Sequence, residues 1–169
     1  MIIRLLPILA LLSASWPQEK APKINTRLRP LAFLVGQWEG PGEMPGMGKV
    51  ADEYRYEFVQ NGNFLRHEYT MNAGTMKWTD TGMIGYNVEL KKLVGFTFGG
   101  DGTIGRSTAV ETEAKDTWTF EGKSAGFSPT KNWRVTLTKV DEDTFTAKTT
   151  VLTGEKELAM PAMTYKRKK

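Results

Sequence analysis

Between Val50 and Arg167 turn-forming residues cut the chain into short runs whose apolar residues recur at every second position, and no segment sustains a helical period. Val50, Asp52, Tyr54, Tyr56 and Phe58 alternate with Ala51, Glu53, Arg55 and Glu57, the pattern of a strand buried on one face. Asn61-Gly62 is the strongest hairpin signal in the chain. The returning strand sets Leu65, His67, Tyr69 and Met71 on one face. Further runs follow around Met76 and Trp78, over Met83–Val88, Leu93–Phe98, Ile104–Thr112, Asp116–Glu121, Asn132–Val140 and Phe145–Val151. A last strand runs from beyond Glu155 to near Arg167. About ten strands at short, regular spacing predict an all-β antiparallel up-and-down barrel or a closely related sandwich. Closure into a barrel removes the sheet edges that would otherwise aggregate.

The entry to this array is Gly36-Gln37-Trp38-Glu39-Gly40-Pro41-Gly42. Its glycines let the backbone bend closely, and the Trp38 indole is large enough to fill one closed end of the interior. The preceding stretch, Arg29-Pro30-Leu31 to Val35, reads as a short helical turn plugging that end. Residues 36–48 hold five glycines and two prolines, so the first strand is expected to end in a mobile loop, Glu43 to Met47. Met44 and Met47 there would suit an adaptable lid over the barrel mouth.

The N-terminus reads as an export signal. Arg4 supplies a basic start, Leu5 to Leu12 an apolar run broken only by Pro7, and Ser13-Ala14-Ser15 the small residues of a cleavage site. Residues 1–15 are expected to be removed, the cut falling near Ser15–Trp16. The apolar run is too short to span a bilayer. Residues 16–27 form a polar, flexible lead-in, and 28–169 a single domain. The chain has no cysteine, which removes thiolate chemistry and cysteine metal sites and leaves the core to hold the fold.

The net charge of +4 says little about partners. Without Arg4 and the terminal Lys166-Arg167-Lys168-Lys169, 18 basic residues face 19 acidic ones. A basic tail on a near-neutral body predicts a solvated terminus and no nucleic-acid surface.

Two motif matches carry no chemistry. Gly100-x-Gly102-x-x-Gly105 fits the dinucleotide fingerprint, but the β-branched residues after it cannot open the helix that would hold a pyrophosphate. Gly122-x-Ser124-x-Gly126 fits a nucleophile elbow, but Pro129 follows at once and the only histidine, His67, lies upstream. Both are expected to be turns. His67 points inward by alternation, without a carboxylate cluster at metal-ligand spacing, so no catalytic or metal site is assigned.

The inward set expected from the alternation is Tyr54, Tyr56, Phe58, Tyr69, Phe96, Phe98, Trp118, Phe120, Trp133 and Phe145. It either fills the core or lines a cavity. Tyr54, Tyr56, His67, Tyr69, Phe96, Trp118 and Trp133 are the candidate ligand contacts.

Leu31-x-Phe33-Leu34-Val35-Gly36-x-Trp38-x-Gly40, the strand end Gly85-Tyr86-Asn87 and the closing Tyr165-Lys166-Arg167-Lys168 resemble the exported bacterial proteins grouped as domain of unknown function 1579. The resemblance implies a calycin-like barrel, akin to lipocalins, in a family without a settled activity. It also implies that Trp38 stacks under a basic side chain of the last strand, Arg167, with Gly36 beside them as the barrel closure. Gly36, Trp38, Gly40 and Gly42 are more distantly similar to the opening of nitrobindins, whose haem-ligating histidine lies on the last strand. Here Met160 and Met163 occupy that neighbourhood. The expected function is an exported monomer, periplasmic or secreted, that binds a small apolar ligand without a cofactor. The alternatives are a haem protein using His67 or a methionine, and an envelope interaction protein with a filled core.

Overall fold

A computed structural model describes residues 23–44, 46–126, 131–153 and 156–169. The expected signal and the first part of the lead-in lie outside them. A 3-10 helix, Arg29–Leu34, precedes eleven strands. They are β1 (Gly36–Met44), β2 (Gly48–Val59), β3 (Phe64–Ala73), β4 (Met76–Asn87), β5 (Lys92–Gly99), β6 (Ile104–Val110), β7 (Thr117–Ala125), β8 (Lys131–Lys139), β9 (Thr144–Thr153), β10 (Lys156–Ala159) and β11 (Met163–Arg167). Strands β1 to β9 pair in order, β9 pairs with β11, and β11 returns to β1, every pair antiparallel. Ten strands thus close a barrel, and β10 adds to it by pairing with β9 alone. Among the described residues no helix is long and apolar enough to cross a membrane.

The last strand is broken in two. Lys156–Ala159 and Met163–Arg167 pair with the same side of β9, bridged by Met160 N–H donating to Thr149 O at 2.8 Å. Pro161 has no N–H to give at the break. In contrast, the runs expected around Met76 and over Met83–Val88 are one continuous strand, β4.

The register fixes which side chains point inward. One cross-strand row runs Gly36, Tyr56, His67, Gly82, Thr97, Gly105, Ser124, and its neighbour Trp38, Tyr54, Tyr69, Asp80, Gly99. Thr97 and Gly99 therefore face the interior, and Phe96 and Phe98 the outside, where they are 44% and 55% exposed. This corrects the expected interior set. The bulky residues of β5 were the misleading ones, because its inner face is made of Gly95, Thr97 and Gly99.

The end that carries the 3-10 helix is packed solid. Leu28, Leu31, Leu34, Trp38, Leu65 and Phe145 are fully buried there. Leu31 and Leu34 share one face because a 3-10 helix repeats every three residues. Trp38 Nε1 donates to Leu34 O at 2.6 Å, and its ring meets Phe145 edge-on at 4.8 Å. The Arg167 guanidinium lies 4.2 Å over the indole centre. Its Nη1 donates to Val35 O at 2.6 Å, its Nη2 to Phe33 O and Glu142 O at 2.9 Å each, and its Nε to Asp143 at 3.0 Å. Three of these acceptors are carbonyls that the helix end and the β8–β9 turn leave free. Gly36, at φ 126°, makes the room: a Cβ there would stand 2.6 Å from Arg167 Nη1.

Two turns and both termini differ from expectation. Strand β1 stays paired to Met44, opposite Gly48, so no long loop follows it; Gly46 and Gly48 take positive φ in a tight turn. Met44 packs against the core while Met47 is exposed, and Pro45 lies outside the described residues. Gly122 to Ala125 belong to β7 and form no turn, whereas Gly100–Gly105 does span the β5–β6 turn, tied by Asp101 to Thr103. The lead-in is held at its end: Asn25 N–H donates to Gly62 O at 3.0 Å, and Arg27 lies over Tyr86. Nor is the basic terminus wholly free, since Lys168 bonds Gln37 O with its main chain and Glu53 with its ammonium.

Trp38→Ala is expected to cost about 3–5 kcal/mol as a large core truncation. Arg167→Ala should cost less, and the two should couple by about 0.5–2 kcal/mol, the cation–π range. Urea melts of a double-mutant cycle measure this; additive losses would mean that Arg167 and Trp38 do not act as a pair.

Candidate functional site

Away from the Trp38 end the interior is not filled. It holds a cavity of about 280 Å³ that Tyr54 and Tyr56 of β2, His67 of β3, Trp78 and Asp80 of β4, and Phe120, Trp133, Val135 and Leu137 of β7 and β8 help to line. The cavity exists because the inner face of neighbouring strands is made of small residues. Gly95, Thr97, Gly99, Gly105 and Ser107 from β5 and β6 lie opposite the aromatic strands.

Three glycines set the posture of the rings. A Cβ on Gly122 would stand 2.6 Å from Trp133 Cζ2, one on Gly99 3.1 Å from Trp78 Cζ2, and one on Gly82 2.8 Å from His67 Nε2. Each ring therefore packs against the bare backbone of a neighbouring strand, where an added Cβ would crowd it. Space, and not backbone freedom, is what these glycines provide.

His67 Nε2 and Asp80 Oδ1 are 3.1 Å apart in the wall, with side chains only 15% and 17% exposed. Tyr54 stacks between Tyr56, at 5.3 Å, and Tyr69, at 4.5 Å, and meets His67 edge-on at 6.2 Å. Burial pushes the Tyr54 and Tyr56 phenols far above their usual range, and the nearby Asp80 charge adds to it. Both remain neutral hydroxyls able to donate. Among the described residues no three histidine, aspartate or glutamate side chains are placed to hold a metal ion.

Of the residues expected from sequence, Tyr54, Tyr56, His67 and Trp133 come together on the cavity wall. Phe96 borders it with its main chain, the carbonyl lying 2.6 Å from a Cβ placed on Gly82, while its ring faces out. Tyr69 stands behind Tyr54, and Trp118 stacks on Phe33 of the 3-10 helix at 5.0 Å. Trp78 and Asp80 went unassigned in the sequence, although Trp78 and Asp80 share the parity of Gly82 and Ile84 on an inward face.

Asp52, on the inward face of β2 by alternation, carries no role in the sequence. It is 1% exposed, behind the cavity, where Tyr165 donates its hydroxyl to Oδ2 at 2.9 Å; Oδ1 has no partner among the described residues. Burial raises its carboxyl above the usual range, against the opposing hydrogen bonds of Tyr165 and Tyr69. A carboxyl raised on folding stabilises the fold most below its unfolded value, about 3.9, and that contribution is lost as pH rises through the folded value. Asp52→Asn should therefore gain on the parent protein as pH is raised from about 4 to 7 in urea melts. A gain that shrinks with rising pH would contradict the assignment.

The chain matches the family model described as "Protein of unknown function (DUF1579)" over residues 27–167. No curated protein matches it. Among solved structures it is similar to Rv2717c from M. tuberculosis, at 15% identity and a TM-score of 0.62, the match covering 87% of this chain and 100% of that one. Likeness at that identity speaks of shared fold.

Proposed function

The chain belongs to the DUF1579 family of proteins of unknown function, and from that premise we propose that it is an exported, calycin-like binding barrel for one small, largely apolar molecule. The observation that carries this reading is the cavity of about 280 Å³, walled mainly by aromatic and aliphatic side chains with a few polar groups among them. That is the composition of a small-molecule site, at a volume just under the usual range. The 3-10 helix and the Trp38–Arg167 pair act as its plug, so that a ligand enters from the opposite end. Export rests on Arg4, Leu5–Leu12 and Ser13-Ala14-Ser15.

The residues do not favour haem. His67 lies against Gly82 with Nε2 engaged by Asp80, and Met163 is buried against Gly42, away from the cavity. We assign no catalysis either: among the described residues no hydroxyl is hydrogen-bonded to His67, so an activated nucleophile is wanting. An envelope protein with a filled core is disfavoured by the cavity itself.

Native mass spectrometry of protein recovered from its own host tests the reading. A mature chain beginning near Trp16, carrying a single small adduct released on unfolding, is expected. A full-length cytosolic product would refute export. An empty barrel that also takes up no apolar fluorophore would refute ligand binding.

A further inference from the structure

We infer that the ligand of this cavity is a cation: a quaternary ammonium or protonated amine on a small apolar body, held by indole and phenol faces against the Asp80 carboxylate. The inference rests on the reading of the barrel as a binding protein and names the class of ligand it takes.

Three observations carry it. First, the wall is built of rings. Trp133, packed against Gly122, and Trp78, packed against Gly99, line the cavity together with Tyr54, Tyr56 and Phe120. The face is the negative part of the ring quadrupole, and an indole is the best of the side-chain faces for a cation. Second, the charge has the right sign. Asp80 is the acidic residue on the wall, and it holds His67 with one oxygen, which leaves the other to a ligand. Third, no lysine or arginine is among the described residues that line the cavity. A carboxylate ligand such as a fatty acid would have to give up water without a permanent cation to receive it. A cation, by contrast, exchanges water for aromatic faces and a carboxylate already half desolvated. Tyr54 and Tyr56 add their rings, and their neutral hydroxyls leave the field of Asp80 uncancelled.

His67 has its own part in this arrangement. By holding Asp80 it positions the carboxylate on the cavity wall. The pair is a positioning device for charge, on a wall otherwise built of rings and small residues.

Tryptophan fluorescence titrations with three probes test the inference: phenyltrimethylammonium, its uncharged isostere tert-butylbenzene, and phenylacetate. The cation is expected to bind at least about tenfold more tightly than the isostere, the worth of a desolvated cation–π contact with its carboxylate. Phenylacetate should not saturate. Asp80→Asn should remove most of the preference of the cation over tert-butylbenzene. Trp78→Leu should weaken the cation more than the isostere, and thermal melts confirm that each variant is folded. Should Asp80→Asn fail to fold, the Trp78→Leu comparison decides. Equal binding of cation and isostere would overturn the cationic ligand and leave the apolar site standing. Tightest binding by phenylacetate would overturn it in favour of an anion. No saturation by any probe would overturn the cation and the binding barrel together.

Discussion

The barrel depends on one contact, the Arg167 guanidinium on the Trp38 indole. Trp38 comes from the first strand and Arg167 from the last, directly opposite in the β1–β11 pairing that closes the ring. The same guanidinium satisfies the carbonyls of Phe33, Val35 and Glu142, so one side chain ties strand closure, the 3-10 helix and the β8–β9 turn together. Arginine suits this place because its flat, weakly hydrated fork can lie on a ring and still donate in several directions. Without it these three carbonyls would need other donors.

A barrel of ten strands has more interior than its own side chains need to fill at both ends. At the end that carries the 3-10 helix, Leu28, Leu31, Leu34, Trp38, Leu65 and Phe145 are fully buried. The other half is left to rings packed against glycines, and a cavity results. The packed end and the cavity are thereby set apart along the barrel axis. The solid end holds the strands in register, and that register decides which rings reach the lumen.

The all-β barrel was legible in the sequence, because strict alternation and turn residues such as Asn61-Gly62 leave little else to build. The inward placement of Tyr54, Tyr56, His67 and Trp133 was legible for the same reason. Strand β5 was not. In Leu93–Phe98 both parities carry apolar residues, and hydrophobicity chose Phe96 and Phe98 for the inside when the register puts Thr97 and Gly99 there. Strand β5 turns its small residues to the cavity and its large ones outward, the inverse of a strand facing a packed core. Asp52 and Asp80 escaped for a related reason. A lone carboxylate on an inward face looks like an interruption until its partners, Tyr165 more than a hundred residues away and His67 across the strand pair, are in view. The broken last strand could be read only from Pro161, since Lys156–Arg167 is otherwise a continuous run.

The central claim is that the packed Trp38 end holds the barrel together while the half around the cavity is held less firmly, and native-state amide hydrogen exchange tests it most directly. Amides of β1 around Trp38, of β9 around Phe145 and of β11 should exchange only through global unfolding. Those of β5 to β8 beside Gly99, Gly105 and Ser124 should exchange through smaller openings that cost less. Uniform protection along the barrel, or a Trp38 end that opens first, would contradict the account.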